Sequence, residues 1–256
     1  MQTWQRSYTN FDIDQITFHP TNDSIIYFYD SYYWSTNHDL IYRSTDLGLS
    51  FLGTNSIEGN NNRRTVQLSV SNDCASCLYY ASSNGVWKSI DNGQNFSFLS
   101  NPAESCQAFA VNDLDTSNMI YGYVDLDASI DGGKTFSDRT RWSLGNTNGN
   151  TSSHATSFAT STNYIHADLR NAKCINGTFY VATDGFVCKS NDGGTTWQIL
   201  TQGVGTREAY CLGVSQSNHD RSISGSQDNG TSILTEKGWV ESVSYTHLRA
   251  HETRGN

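Results

Sequence analysis

The sequence predicts an all-β fold built from repeated four-stranded units, and three observations support this prediction. The first is composition: the 256 residues include 19 Asp against 6 Glu, together with 24 Asn, 21 Gly and only 5 Lys. Asp, Asn and Gly favour turns, whereas Glu and Lys favour helices, so the composition indicates many tight turns and few helices. The second and third observations are a turn motif that occurs four times and a strand pattern that repeats upstream of it.

Composition and charge also exclude several classes of protein. The 14 Tyr, 11 Phe and 6 Trp provide enough bulk for a packed core. The net charge is −9, whereas nucleic-acid-binding proteins typically carry an excess of Lys and Arg. No apolar run approaches the roughly 20 residues of a membrane span, and the first ten residues lack the apolar stretch of a signal peptide. We therefore expect neither a nucleic-acid partner nor a membrane span.

The repeated turn motif is Ser-x-Asp-x-Gly-x-(Ser/Thr/Asn)-aromatic. Its four copies are Ser44 to Phe51, Ser89 to Phe96, Ser129 to Phe136 and Ser190 to Trp197, with the acidic residues Asp46, Asp91, Asp131 and Asp192. The Asp positions are separated by 45, 40 and 61 residues, and a polar insertion at 143–162 accounts for the longest gap. The Ser and Asp side chains can bond to the backbone of a tight hairpin, and the Gly supplies a positive φ. We interpret these four "Asp turns" as structural.

The strand pattern before each Asp turn repeats as well. Each repeat contains an apolar inner strand, a second strand that typically ends in Tyr, a Gly-containing turn and a third strand, with an aromatic residue opening a fourth strand after the Asp turn. This succession is typical of one blade of a β-propeller. The predicted blades are residues 10–57, 58–102, 103–142, 163–203 and 204–242, of which the first four are complete and the fifth is partial.

The two ends of the sequence do not complete this pattern. Trp4 is placed like the aromatic residue after an Asp turn, so the chain is interpreted as a fragment of a larger ring. The alternative is that the strand of Trp4 completes the fifth blade and closes a small ring. Residues 243–256 abandon the strand pattern and resemble sequencing-adaptor read-through, so we expect a tail foreign to the fold. The alternative is a genuine exposed C-terminal helix.

These motifs resemble the Asp-box or BNR-repeat propellers, the superfamily that includes sialidases, xyloglucanases and sortilin-type receptors. The pattern is most similar to secreted bacterial repeat proteins, through three segments: His166 to Asp168, Thr183 to Gly185, and Gly225 to Thr231. The resemblance implies a propeller, an extracellular or cell-surface location, and a glycosidase-like or sortilin-like function.

Six cysteines and the Asp-rich loops raise the question of disulfides and metals. Cys74 and Cys77 lack the second Cys pair of a zinc site, so we expect a local disulfide of a secreted protein instead. Calcium is conceivable because Asp and Asn supply oxygen ligands, but the nearest approach to a calcium loop is Asp125-Leu126-Asp127. We therefore predict no cofactor and no metal ligands.

Propeller topology predicts which acidic residues converge. If the Asp turns join strands three and four, the turn between strands two and three and the start of strand one lie at the opposite end, which we call the mouth end. The first of these positions holds Asn84, Asp125, Asp184 and Asp228, and the second holds Asp12 and Asp168. With His166, Arg170, Gln227 and Asn229 nearby, the mouth end is the predicted ligand site.

Two functions fit such a site. The first is a secreted module that binds a polysaccharide or a protein ligand, with no catalytic set. The alternative is a glycoside hydrolase in which Asp168 and Asp184 form the catalytic pair, as the resemblance to xyloglucanases implies. Scattered Arg residues and unaligned Glu residues argue against a sialidase.

The mouth-end residues also have structural interpretations. Asp184 and Asp228 could be turn formers. If the segment containing His166, Asp168 and Arg170 is extended, the three side chains can share one side, either as a ligand site or as a hydrogen-bonded plug.

Overall fold

The computed structural model describes residues 13–30, 38–54, 57–58, 66–140, 165–200, 209–218, 220–226 and 231–242. All regular secondary structure in these residues is β, and it forms five antiparallel sheets. In every sheet, four strands pair in the order in which they occur along the chain. The predicted all-β, blade-like architecture is confirmed.

The strands have the following bounds. The first sheet contains β1 (Ile13–Phe18), β2 (Ile26–Asp30), β3 (His38–Ser44) and β4 (Leu52–Gly53), and β5 (Ile57–Glu58) pairs with the start of β3. The second contains β6 (Gln67–Ser71), β7 (Cys74–Ser82), β8 (Gly85–Ser89) and β9 (Ser97–Ser100). The third contains β10 (Ala108–Val111), β11 (Met119–Gly122), β12 (Leu126–Ser129) and β13 (Ser137–Thr140). The fourth contains β14 (Leu169–Ile175), β15 (Thr178–Thr183), β16 (Val187–Ser190) and β17 (Gln198–Ile199), and the fifth contains β18 (Ala209–Val214), β19 (Ser222–Ser226), β20 (Thr231–Thr235) and β21 (Gly238–Ser242).

The fifth sheet corrects one expectation. It was predicted to be partial, yet all four of its strands are formed, although the sequence has no Asp turn there. Thr235 supports the turn between β20 and β21 instead. Its Oγ1 donates to the carbonyl of Gly238 at 2.9 Å and accepts from the backbone N–H of Lys237 at 3.2 Å. A two-residue turn held by one hydroxyl is therefore sufficient to add the fourth strand.

The core lies between neighbouring sheets. Tyr27, Tyr29 and Ile41 of the first sheet are buried in one cluster with Leu78 and Tyr80 of the second. Two similar clusters join the second sheet to the third and the third to the fourth. Burial of these apolar side chains between sheets is the main stabilising contribution to such an architecture.

The fifth sheet differs from the others in burial. Tyr210, Leu212 and Val214 of β18 are 67%, 67% and 57% exposed. The inner-strand positions of Cys106 and Cys211 in the repeat predict small buried side chains. Cys106 is fully buried, as predicted, whereas Cys211 is exposed, which contradicts the prediction.

All four Asp turns have the same hydrogen bonds. The Ser hydroxyl donates to Asp Oδ1 at 2.7–2.8 Å and accepts from the Gly N–H at 2.8–2.9 Å. The residue four positions after the Asp makes two further hydrogen bonds to the carboxylate. Its backbone N–H donates to Oδ1 at 2.8–3.0 Å, and its side-chain hydroxyl or amide donates to Oδ2 at 2.5–2.7 Å. The Ser and Asp side chains of these turns therefore make their hydrogen bonds within their own turn, as expected for structural elements.

This bonding lowers the pKa of each Asp in the four turns. The pKa is about 2 for Asp46, Asp91 and Asp131, mainly because the residue four positions later donates to the carboxylate. At Asp192, burial acts to raise the pKa, but the hydrogen bonds from Thr196 and Ser190 outweigh it, so the pKa of Asp192 is lowered as well. A hydrogen-bonded carboxylate favours its ionised form.

The predicted local disulfide is present. The sulfurs of Cys74 and Cys77 are 2.01 Å apart, and the pair lies at the start of β7. Trp4, the insertion at 143–162 and the tail at 243–256 lie outside the described residues.

Candidate ligand site at the mouth end

In the second, third and fourth sheets, the turn between strands two and three lies at the opposite end of the sheet from the Asp turn, as predicted. In the fourth sheet, Asp184 lies in the turn between β15 and β16, and Asp192 lies in the turn between β16 and β17. Because β16 separates the two turns, its length places them at opposite ends of the sheet. The predicted blade register is therefore correct in this sheet.

Thr183 builds the turn that carries Asp184. Its Oγ1 accepts from the N–H groups of Gly185 and Phe186 at 3.2 and 3.0 Å, and it donates to the Phe186 carbonyl at 2.8 Å. A hydroxyl that bonds to the backbone two and three residues ahead fixes a tight turn. Asp184 is thus not needed to hold the turn, and its carboxylate is available for other contacts.

His166 packs beneath this turn. It is only 1% exposed, and its Nδ1 lies 3.0 Å from the carbonyl oxygen of Ala167. Its ring meets that of Phe186 edge to face, with centroids 6.0 Å apart. A Cβ on Gly185 would lie 2.3 Å from His166 Cδ2, so only glycine permits this approach. His166 therefore supports this turn from beneath and is not open to a ligand.

Arg170 and Asp184 form a bidentate ion pair. Arg170 Nε and Nη2 donate to Asp184 Oδ1 and Oδ2 at 2.5 and 2.9 Å. The side chain of Arg170 is 51% exposed and that of Asp184 is 16% exposed. The hydrogen bonds with Asp184 raise the pKa of Arg170, burial partly offsets the rise, and the charge of Asp168 adds to it. The two carboxylates therefore act on one guanidinium.

Asp168 bends the segment that was expected to be extended. Its φ is +57°, in the left-handed region that non-glycine residues rarely adopt. The bend breaks strand alternation, so the side chains of His166, Asp168 and Arg170 do not share one side. His166 is turned inward and Arg170 is exposed, which corrects the expectation of three aligned side chains.

The neighbouring turn of the third sheet contacts the same segment. The N–H of Leu169 donates to the carbonyl of Tyr123 at 2.7 Å, and Tyr123 N–H donates to the Asp125 carbonyl at 3.1 Å. A Cβ on Gly122 would lie 2.1 Å from the Asp125 carbonyl oxygen, so this turn also requires glycine at position 122. Asp125 is therefore brought beside the start of the fourth sheet, as its position in the repeat predicted.

Other predicted site residues are not tested by the structure. Gln227, Asp228, Asn229 and Asp12 lie outside the described residues, so their place at the mouth end stays a prediction. In the described ranges, no three His, Cys, Asp or Glu side chains come together in a group that could hold a metal ion. The same ranges contain no helix with the length and apolar character needed to cross a membrane.

Comparison with known proteins identifies the architecture. No protein-family model and no curated protein sequence matches the chain. Among solved structures, the GH74 enzyme of Niastella koreensis matches with a TM-score of 0.51 and 17% identity, over 90% of this chain and 38% of that one. The chain has the fold of a β-propeller.

Two further structures show the same likeness. The GH74 xyloglucanase of Xanthomonas campestris matches with a TM-score of 0.52 and 13% identity, over 90% of this chain and 38% of that one. YCF48 from Cyanidioschyzon merolae matches with a TM-score of 0.53 and 11% identity, over 94% of this chain and 74% of that one. The chain thus spans little more than a third of the GH74 enzymes. At these identities the matches describe the fold alone, and function must be argued from the site.

Proposed function

We propose that this chain is a secreted or cell-surface propeller module of the Asp-box class that binds a glycan or protein ligand at its mouth end. The observation that carries the proposal is the half-exposed side chain of Arg170, whose guanidinium is paired with Asp184. Asp184 holds it from one edge through Nε and Nη2, which orients the group without covering it. An oriented guanidinium next to Asp168 and the Asp125 turn offers both donors and acceptors to hydroxyls, carboxylates or peptide groups.

The same ion pair weighs against Asp184 as a general acid. A general acid must donate a proton to the leaving group, whereas both oxygens of Asp184 accept from Arg170. To donate, the carboxyl group would first have to break a bidentate contact. Binding without turnover therefore requires the fewest changes to the observed geometry.

The second candidate function is glycoside hydrolysis of the xyloglucanase-like class. It is favoured by one observation: Asp168 and Asp184 both act electrostatically on Arg170, so two carboxylates lie near one exposed group. In this alternative, Arg170 releases Asp184 when a sugar binds, and the two carboxylates share the work of acid and base.

A binding and turnover experiment separates the two functions. Purified protein is screened on an array of oligosaccharides that includes β-glucan and xyloglucan fragments, and each retained glycan is then incubated with the protein in solution. Retention without new reducing ends supports the binding module. Release of reducing ends that disappears in Asp184→Asn supports the hydrolase instead.

The Arg170→Gln variant tests the mouth end directly. Removing charge-assisted hydrogen bonds of about 1.5–3 kcal/mol should weaken retention of a bound glycan about tenfold or more. Arg221→Gln is the matched control, because the Arg221 side chain is 63% exposed and its Nη2 lies 3.9 Å from Glu236 Oε1, beyond hydrogen-bond distance. Equal weakening by both variants, or by neither, would overturn the mouth-end site.

The proposed location rests on the disulfide. Disulfides persist in oxidising compartments, and Cys74 and Cys77 are joined, while Cys106, Cys174, Cys188 and Cys211 are free. Protein isolated from its native source should therefore show four alkylatable thiols after unfolding without reductant. Six alkylatable thiols would contradict a secreted or cell-surface location.

A further inference from the structure

A separate cleft lies between the first and second sheets, beside their Asp turns. Its volume is about 280 Å³, near the lower end of the ~300–1,000 Å³ typical of small-molecule sites. The lining residues are Arg43, Thr45, Ser50, Leu52, Gly53, Thr54, Gln94 and Asn95. Ser50, Gln94 and Asn95 belong to Asp turns, so the cleft is at the other end of the sheets from Arg170 and Asp184.

Two residues of the cleft wall have unused hydrogen-bonding capacity. Arg43 Nε and Thr54 Oγ1 are both buried, and neither makes a hydrogen bond to any described residue. Buried polar atoms without a hydrogen bond are uncommon and require an explanation. Arg139 Nε and Thr140 Oγ1 form a second such pair outside the cleft, so the pair at Arg43 and Thr54 shows unused bonding capacity and the charges around it decide what it can bind.

The charges around the cleft favour an anion. Arg43 is the one charged side chain among the described lining residues. The nearby carboxylates of Asp46 and Asp91 accept hydrogen bonds from Ser50 and Asn95 and from other donors of their own turns. They are therefore committed to the turns and leave Arg43 without an acceptor among the described lining residues.

Tyr27, which lies close to Arg43, does not neutralise it either. Burial raises the pKa of Tyr27, and the charge of Arg43 only partly opposes that rise. Tyr27 is consequently a neutral phenol near pH 7, and the guanidinium has no phenolate partner there.

From this arrangement we infer that the cleft binds a small hydroxylated carboxylate, of the size of one uronic acid. Arg43 takes the carboxylate, because a guanidinium matches its two oxygens. The hydroxyls of Thr45, Ser50 and Thr54 and the amide of Gln94 are the groups that recognise sugar hydroxyls. The small volume fits a single ring better than a polymer segment.

The test measures binding of D-glucuronate to the intact chain by calorimetry or saturation-transfer NMR. Its methyl ester, which has the same ring without the charge, is the comparison ligand. We expect D-glucuronate to bind about tenfold or more tightly than the ester, as one charge-assisted contact of about 1.5–3 kcal/mol implies. No detectable binding of D-glucuronate, or equal binding of both ligands, would overturn the inference.

Variants assign the binding to the cleft. Arg43→Gln should abolish the preference for the acid over the ester. The matched control is Arg139→Gln, because Arg139 also has a buried Nε without a hydrogen bond to the described residues but lies on β13, outside the cleft. Persistence of the preference in Arg43→Gln, or its loss in Arg139→Gln, would contradict the assignment.

A second variant covers the case in which Arg43→Gln does not fold. Thr54→Val keeps the side-chain shape and removes the unused hydroxyl, and it should weaken D-glucuronate binding severalfold; unchanged affinity would count against the cleft. Thr140→Val is its control, since Thr140 Oγ1 is also buried without a partner among the described residues. Arg170→Gln should leave D-glucuronate binding unchanged, and a loss there would place the acid at the mouth end instead.

Discussion

The two ends of the sheets are built by opposite strategies. At the Asp-turn end, four turns repeat one set of hydrogen bonds, and each carboxylate is satisfied by its own turn. At the mouth end, Thr183 holds the turn, which leaves Asp184 to bind Arg170 from another strand. Acidic residues at both ends thus look alike in sequence, but those of the Asp turns bond within their own turns, whereas Asp184 pairs with Arg170.

The largest expected loss of stability is at Gly185, which packs against His166 beneath the mouth-end turn. Gly185→Ala puts a Cβ 2.3 Å from the buried ring of His166, which must move. We expect a loss of stability of about 2–3 kcal/mol, the range for overpacking, measured by chemical denaturation. Gly53→Ala is the control, because its Cβ would meet Tyr42 Cε1 at an ordinary 3.6 Å. A neutral Gly185→Ala would mean that His166 is not a rigid support.

The second largest expected loss of stability comes from breaking the hydrogen bonds of one Asp turn. Ser129→Ala removes the hydroxyl that bonds Asp131 Oδ1 and the Gly133 N–H, and leaves that buried N–H without its partner. We expect a loss of about 1–2 kcal/mol, or roughly 2–4 °C in Tm for each kcal/mol, and no change in ligand binding. Ser137→Ala, at an exposed position of β13, should leave Tm unchanged. Loss of binding in Ser129→Ala at a temperature where it is folded would erase the difference between the two ends.

Protonation of the Asp-turn carboxylates in acid should also lower stability. The loss per turn should be smaller than that of Ser129→Ala, because the carboxylates are exposed and screened by solvent. A folded-state pKa of about 2 for Asp46, Asp91 and Asp131 lies below the ~3.9 of an unfolded Asp. Their stabilisation is therefore complete above pH ~4 and is lost as the pH falls towards 2. Thermal melts should show a falling Tm across that window.

A variant identifies the source of this pH dependence. Asp131→Asn removes one titrating turn, so its Tm should fall less steeply between pH 4 and 2 than that of the unmodified chain. An equally steep fall would show that other carboxylates control the acid sensitivity.

The sequence predicted the Asp-turn end well because its chemistry is local. Ser129, Asp131 and Thr135 lie within seven residues of one another, so the turn and its bonding can be read from the motif. The turn before the fourth strand of the fifth sheet has no such motif, and Thr235 supports it instead.

The mouth end was predicted only in part, and the cleft was not predicted, because both depend on tertiary contacts. The register placed Asp184 opposite the Asp turns, but the bend at Asp168 and the pairing of Arg170 with Asp184 follow from packing between segments. The cleft brings together Arg43 and Asn95 from different sheets, and no spacing in the sequence signals that meeting.

The smallest expected effect on stability gives the sharpest test of the account. Arg170→Gln breaks a half-exposed ion pair, which should cost at most about 1 kcal/mol of stability. The deciding measurement is the glycan-array profile of the unmodified chain, Arg170→Gln and Ser129→Ala, recorded below the Tm of all three. Glycans that lack a uronic acid and are retained by the unmodified chain should be retained by Ser129→Ala and lost by Arg170→Gln. Retention of these glycans by Arg170→Gln, or equal loss in both variants, would contradict a ligand site at the mouth end.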